Sequence, residues 1–326
     1  MAQDDWALGV DLGGTKVEVA AVNTSGTIRR LLRKPADVQG GPDSIVAQIA
    51  QMARELKEQD SSAPLGVGVG VAGQIAADTG VVQFSPNLNW HGVPFQEKLD
   101  KALKLPVVIL NDVRAATWGE WLHGAGQGVD DLICLFIGTG IGGGVVSAGK
   151  VLSGASNAAG ELGHITVDLH GPICTCGNRG CLEALAGGWA IARRAMVAIN
   201  DSPLAGEALL KAAGLSKPIR AKEVNAKLVT DAAQAGDPLA RLLVEEIIQA
   251  LIAGAVGLVN AFNPSRLILG GGVTAGLPQL VERLDQGIRR YALKAAGEAV
   301  EVLPAKLGNN AGVVGAATLA LQSFEA

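Results

Sequence analysis

The chain has 326 residues, a formal net charge of −4, 18% charged and 48% hydrophobic residues, and 44 glycines. That length can bury a core in two domains, and that apolar share excludes a disordered chain. The acidic balance, with no local basic patch, argues against a nucleic-acid partner, and the short polar start before Trp6 reads as neither signal nor transit peptide, so a cytoplasmic protein is expected.

The apolar run 6–10 leads into Asp11-Leu12-Gly13-Gly14-Thr15-Lys16, and the run 17–22 follows, which reads as strand, tight glycine turn, strand. Ser44 precedes Ile45, Val46, Ile49, Met52, Ala53 and Leu56, a single helical stripe. Leu65, Val67, Val69 and Val71 alternate with glycines, a strand on whose bare face another element can pack closely. Pro106 introduces the buried strand 107–110, with Asn111 and Asp112 at its carboxyl end, the edge that active sites favour.

The order begins again at 132–137, an apolar strand running into Gly138-Thr139-Gly140-Ile141-Gly142-Gly143-Gly144 and then Val145 and Val146. A long helix is expected over 239–260; its apolar stretch 247–259 is shorter than the ~20 residues of a membrane span and reads as buried. Strand 267–269, the turn Gly270-Gly271-Gly272 and further helices complete an α/β pattern. The expected division is a first lobe, 1–121, with the C-terminal segment 311–326 packed back on it, and a second lobe, 122–310.

In the first glycine turn, backbone amides can approach phosphate oxygens, Thr15 adds a hydroxyl, and Asp11 can hold Mg2+ through water. The same residues also suit an ordinary hairpin; a second such loop at Gly138, Thr139 and Gly140 favours phosphate. Neither has the spacing of a P-loop or of a dinucleotide fingerprint. Asp112 is placed to take a proton from a hydroxyl under phosphoryl transfer, or to cap the helix that follows, and the two roles are compatible.

His164, Cys174, Cys176 and Cys181 make a full tetrahedral zinc set with no vacant position, which implies a structural metal. Reactive thiols or a chance cluster are the alternatives. Cys134 reads as core, and His91, His123 and His170 are assigned no site.

The paired loops resemble the phosphate motifs of the sugar kinase, actin and heat-shock ATPase superfamily, and Gly270-Gly271 resembles its adenosine motif. D-x-G-G-T-K at 11–16, the Asn111-Asp112 pair, G-T-G-x-G-G-G at 138–144, E-x-G-H at 161–164 and C-x-C-G-x-x-G-C-x-E ending at Glu183 resemble the ROK family in family order. The resemblance implies a ribonuclease-H-like fold of two lobes with a cleft between them. It implies sugar held by Asn89, Asn111, Asp112, Glu161, His164 and Glu183, with Asp112 as general base. ATP and Mg2+ would be held by Asp11, Gly13, Gly14, Thr15, Lys16, Gly138, Thr139, Gly140, Gly270 and Gly271, with Lys16 either adding charge or simply solvated. Structural Zn2+ would fix the ring of His164 toward the sugar.

The segment Pro86-Asn87-Leu88-Asn89-Trp90 resembles the sugar loop of bacterial glucokinases, which favours glucose; kinases for fructose, mannose, allose and N-acetylmannosamine share most of these residues. The family also holds polyphosphate-using members and sugar-responsive repressors. The repressors carry a helix-turn-helix segment before the first strand, and the few residues before Trp6 argue for a kinase. Relatives imply a homodimer or homotetramer, with no nucleic acid or membrane partner.

Overall fold

The computed structural model describes residues 5–60, 62–215 and 223–324. Two five-stranded sheets organise them. In the first, β1 (Trp6–Leu12), β2 (Lys16–Asn23) and β3 (Ile28–Pro35) run antiparallel. Helix α1 (Gly41–Lys57) carries the chain to β4 (Val67–Val71), parallel to β1. A small sheet of β5 (Gln74–Ile75), β6 (Val82–Ser85) and β7 (Trp90–Val93), then α2 (Phe95–Leu103), leads to β8 (Val107–Asn111), parallel to β4. The order is β3-β2-β1-β4-β8, and α3 (Asp112–His123) leaves its edge.

The second sheet repeats that plan. It has β9 (Leu132–Ile137), β10 (Ile141–Ser147) and β11 (Lys150–Val151), and then a helical stretch of α4 (Leu182–Ala186), α5 (Gly188–Asp201), α6 (Pro203–Ala212), α7 (Ala226–Gln234) and α8 (Pro238–Phe262). β12 (Arg266–Gly270) joins parallel to β9; α9 (Gly272–Gly276), α10 (Leu280–Tyr291) and α11 (Lys294–Ala299) precede β13 (Glu301–Pro304), parallel to β12. The order β11-β10-β9-β12-β13 reproduces the first, and α12 (Ala311–Ser323) ends the chain.

Two compact units follow. The first runs to Asp130, resumes over Gly144–Gly160, and takes the chain again from Ala305; the second holds Asp131–Gly143 and Glu161–Pro304.

In the first unit, Val67, Val69 and Val71 enter a core with Trp6, Leu8, Ile45, Ile49 and Phe95. Of the glycines between them, Gly68 serves α12, since its Cβ would collide with the Ala316 carbonyl, while Gly70 faces Ala115 of α3; Gly9 on β1 serves α12 too, its Cβ meeting the Val313 carbonyl. The bare face read in the sequence is therefore the seat of the C-terminal helix, whose own Gly315 lies against the Ala115 carbonyl of α3. Glu120, wholly buried on α3, accepts from the amides of Ala125 (2.9 Å), Lys306 (3.0 Å) and Leu307 (2.7 Å), which satisfies its charge without a cation.

In the second unit, α8 extends the expected 239–260 by one residue at its start and two at its end. Asp237 caps it by accepting from the Ala240 amide, Pro238 occupies the first turn, and Asn263 closes it in the left-handed region. Its 25 residues are long and apolar enough to cross a membrane, but Leu243, Ile247, Leu251, Ala255 and Leu258 are buried in this unit's own core.

Candidate active site

In the first unit, the turn between β1 and β2 is closed by the Gly13 amide donating to the Lys16 carbonyl at 3.1 Å. A Cβ on Gly14 would lie 2.7 Å from the Asn87 carbonyl, so this loop sits directly against the 86–90 segment. Asn89 itself takes a left-handed conformation, φ 55°, which asparagine tolerates better than most residues. Thr15 is exposed at the tip.

Lys16 pairs with Glu18, a carboxylate buried on β2 that also takes Arg33 from β3. The antiparallel register sets Glu18 opposite Arg33. The ammonium of Lys16 is thus held by a neighbour rather than simply solvated.

Asp11 lies at the end of β1, and burial pushes its carboxyl up to about 7, with the Asp112 charge adding to the rise and Lys16 opposing it. Gly312, at the start of α12, leaves room there: a Cβ would lie 2.9 Å from the Asp11 carboxyl. Two acidic groups close enough to repel, one of them desolvated, form the kind of pair that a divalent cation relieves.

At the end of β8 the sequence offers Asp112 as the cap of the following helix, and the structure moves that role one residue back. Asn111 takes it: its Oδ1 accepts from the amides of Val113 (3.1 Å) and Arg114 (3.2 Å), and its Nδ2 donates to the Gly73 carbonyl at 3.1 Å. Asp112 is the first helical residue, in the first turn of α3. Two residues on, buried Arg114 donates to Ser153 Oγ and to the backbone and side chain of Asn157.

In the second unit, the loop Gly138-Thr139-Gly140 joins β9 to β10. Its carbonyls at 138 and 139 accept from the amides of Gly188 and Trp189, the first residues of α5, both at 2.9 Å. Gly270 pairs with Phe136 at the end of β9, and Gly271, at φ 91°, passes so close to the Ile137 carbonyl that no side chain fits. The residues read as phosphate loop and adenosine motif are therefore adjacent.

Glu161 to His164 form a short turn lying on the same loop, since a Cβ on Gly163 would collide with the Ile141 carbonyl. Glu183, in the first turn of α4, accepts from the Ile141 amide at 2.8 Å and from Trp189 Nε1 at 3.1 Å. Neither of these links, nor Trp189, was anticipated from the sequence; a lone tryptophan after a Gly-Gly pair belongs to no motif.

The ligating atoms of His164, Cys174, Cys176 and Cys181 lie within 4.8 Å of one another. Cys176 and Cys181 sulfurs are 3.7 Å apart, and Cys174 Sγ is 3.6 Å from His164 Nδ1. A tetrahedron with Zn–S near 2.3 Å and Zn–N near 2.1 Å has edges of about 3.8 Å and 3.6 Å, so the set fits zinc. Burial and the neighbouring thiols push the Cys181 thiol up, whereas the Asn178 backbone amide lowers that of Cys176. Such a cluster ionises together only around a cation.

Residues 7–323 match the model of the ROK family. The chain belongs to the ROK family. The glucokinase of Halalkalibacterium halodurans is 36% identical over 98% of this chain and 96% of its own. Among solved structures, a ROK family glucokinase from Streptomyces griseus in complex with glucose and AMPPNP superimposes with a TM-score of 0.82, at 35% identity over 97% of this chain and 99% of that one. The ROK hexokinase of Thermus thermophilus gives 0.81, at 31% identity over 98% and 99%. This ROK protein accordingly has the actin-like, ribonuclease-H-like ATPase fold, which its two sheets of equal strand order display.

Proposed function

We propose that this ROK protein is an ATP-dependent glucokinase, transferring the terminal phosphoryl group of ATP to the O6 hydroxyl of glucose to give glucose 6-phosphate and ADP. The observation that carries the reading is the division of labour at the start of α3. Asn111 caps the helix, so the Asp112 carboxylate is not required for that task and stands at the helix N-terminus as general base. The full-length likeness to glucokinases supports the same assignment.

Asp112 accepts the O6 proton as the phosphoryl group moves. Asn89, Asn111, Glu161, His164 and Glu183 orient the sugar hydroxyls, and the amides of Gly13, Gly14, Gly138 and Gly140 with the Thr15 hydroxyl hold the phosphates. Gly270 and Gly271 leave the backbone open to the adenosine. Positioning and charge neutralisation dominate such a loose transition state. Mg2+ held near Asp11 would supply the counter-charge for the phosphates. Zn2+ on the three cysteines and His164 Nδ1 would fix the imidazole, leaving its Nε2 for a sugar hydroxyl. A consumer of ATP and glucose of this kind works in the cytoplasm.

The test is a coupled assay of purified protein over a hexose panel, with ATP and polyphosphate as donors in parallel. Glucose with ATP is expected to show the highest kcat/KM. Preference for another hexose or for polyphosphate revises the substrate, and no transfer to any sugar overturns the enzyme reading.

A further inference from the structure

Glu183 is bonded to the second phosphate loop, and one side chain outside every motif completes that link. Its Oε2 accepts from the Ile141 amide and its Oε1 from the Trp189 indole. Gly140 is bare on the side where a Cβ would collide with the Glu183 carboxylate. The Trp189 amide also donates to the Thr139 carbonyl, and a Cβ on Gly188 would lie 2.6 Å from the Gly138 carbonyl. The Trp189 ring packs on the cluster of Cys174, Cys181 and Ala184, and Arg193 stacks on the ring 5.3 Å from its centroid.

We propose that Trp189 is a positioning residue that joins the sugar-binding carboxylate Glu183, the zinc-ligand cluster and the phosphate loop into one body, so that sugar and nucleotide affinities are coupled. This rests on the proposed kinase reading, in which Glu183 holds the sugar and Gly138 to Gly140 hold phosphate. Each Glu183 oxygen spends one lone pair on the protein and keeps another for a sugar hydroxyl. A sugar that draws on Glu183 then draws on the donors that shape the loop. An ordered loop costs the nucleotide less to bind, and by linkage the nucleotide returns the same factor to the sugar.

The experiment is calorimetric titration of zinc-loaded protein with glucose, alone and with saturating AMPPNP, comparing the parent with Trp189→Phe, which keeps a ring and removes the donor. The parent is expected to bind glucose more tightly with AMPPNP present. In Trp189→Phe the glucose Kd without nucleotide should rise about tenfold, the loss expected for a hydrogen bond to a carboxylate, and the effect of AMPPNP should fall toward none. Zinc content and Tm should stay near the parent values.

Gly140→Ala tests the link from the other side: it is expected to weaken glucose binding with no nucleotide present, because its methyl displaces Glu183. Coupling retained in Trp189→Phe, or unchanged glucose affinity in Gly140→Ala, overturns the proposal. Loss of zinc in Trp189→Phe also overturns it, since the ring would then be structural. A parent that binds no hexose overturns the kinase reading together with this one, whereas the other outcomes leave that reading standing.

Discussion

Replacing Asp11 with Asn should make the magnesium-free protein more stable, and by an amount that depends on pH. The Asp11 carboxyl rises from 3.8 to about 7 on folding, first through burial and then through Asp112. The folded state therefore holds a proton that the unfolded state has released. Stability is full below pH 4 or so and is lost as pH rises through about 7. At about 1.4 kcal/mol per unit, a rise of about three units costs at most about 4 kcal/mol above pH 8. Asn has the shape of the protonated acid and carries no charge, so the variant escapes this loss. Its advantage over the parent should grow by about 2–3 kcal/mol between pH 5 and pH 8, a range that spans about two units of that rise. Urea unfolding of parent and variant across that range, in magnesium-free buffer, measures the difference directly. A difference that stays flat with pH would refute the reasoning, because the parent would then not hold a desolvated carboxyl repelled by Asp112.

Cys176→Ala removes one corner of the thiol cluster: metal analysis should find zinc in the parent and not in the variant, with weaker glucose binding through a loosened His164. Glu120→Gln keeps one acceptor oxygen where the carboxylate has two, so at least one of the three amides faces an NH2 donor, and thermal unfolding should show a loss of about 2–3 kcal/mol. Gly9→Ala puts a methyl into the Val313 carbonyl, so α12 must shift; a loss of about 3 kcal/mol by chemical denaturation is expected, and a neutral result would place α12 elsewhere.

Much of the fold was legible because its signals are local. Each glycine loop lies between two apolar runs, the two strand-turn-strand units announce the repeated sheet order, and the three cysteines fall within eight positions of one another. The cap at α3 falls on Asn111 rather than on Asp112, for a physical reason: Asn and Asp are equally good caps, and only the backbone conformation selects between adjacent residues. The partner of Lys16 depends on Glu18 being buried and shared with Arg33, which needs the register of β2 on β3. The extent of α8 was legible to within two residues, 239–260 against Pro238–Phe262, and Asp237 and Pro238 mark its start as a cap and a first-turn proline. The Glu183 bond to Ile141 spans 42 residues, and only tertiary packing reveals it.

Asp112→Asn, assayed for glucose phosphorylation with ATP and for glucose binding by titration, tests the central claim most directly. Loss of the general base should lower kcat on the order of a thousandfold while glucose affinity stays within a few fold of the parent. A variant that turns over within tenfold of the parent would contradict the assignment of Asp112 as the base.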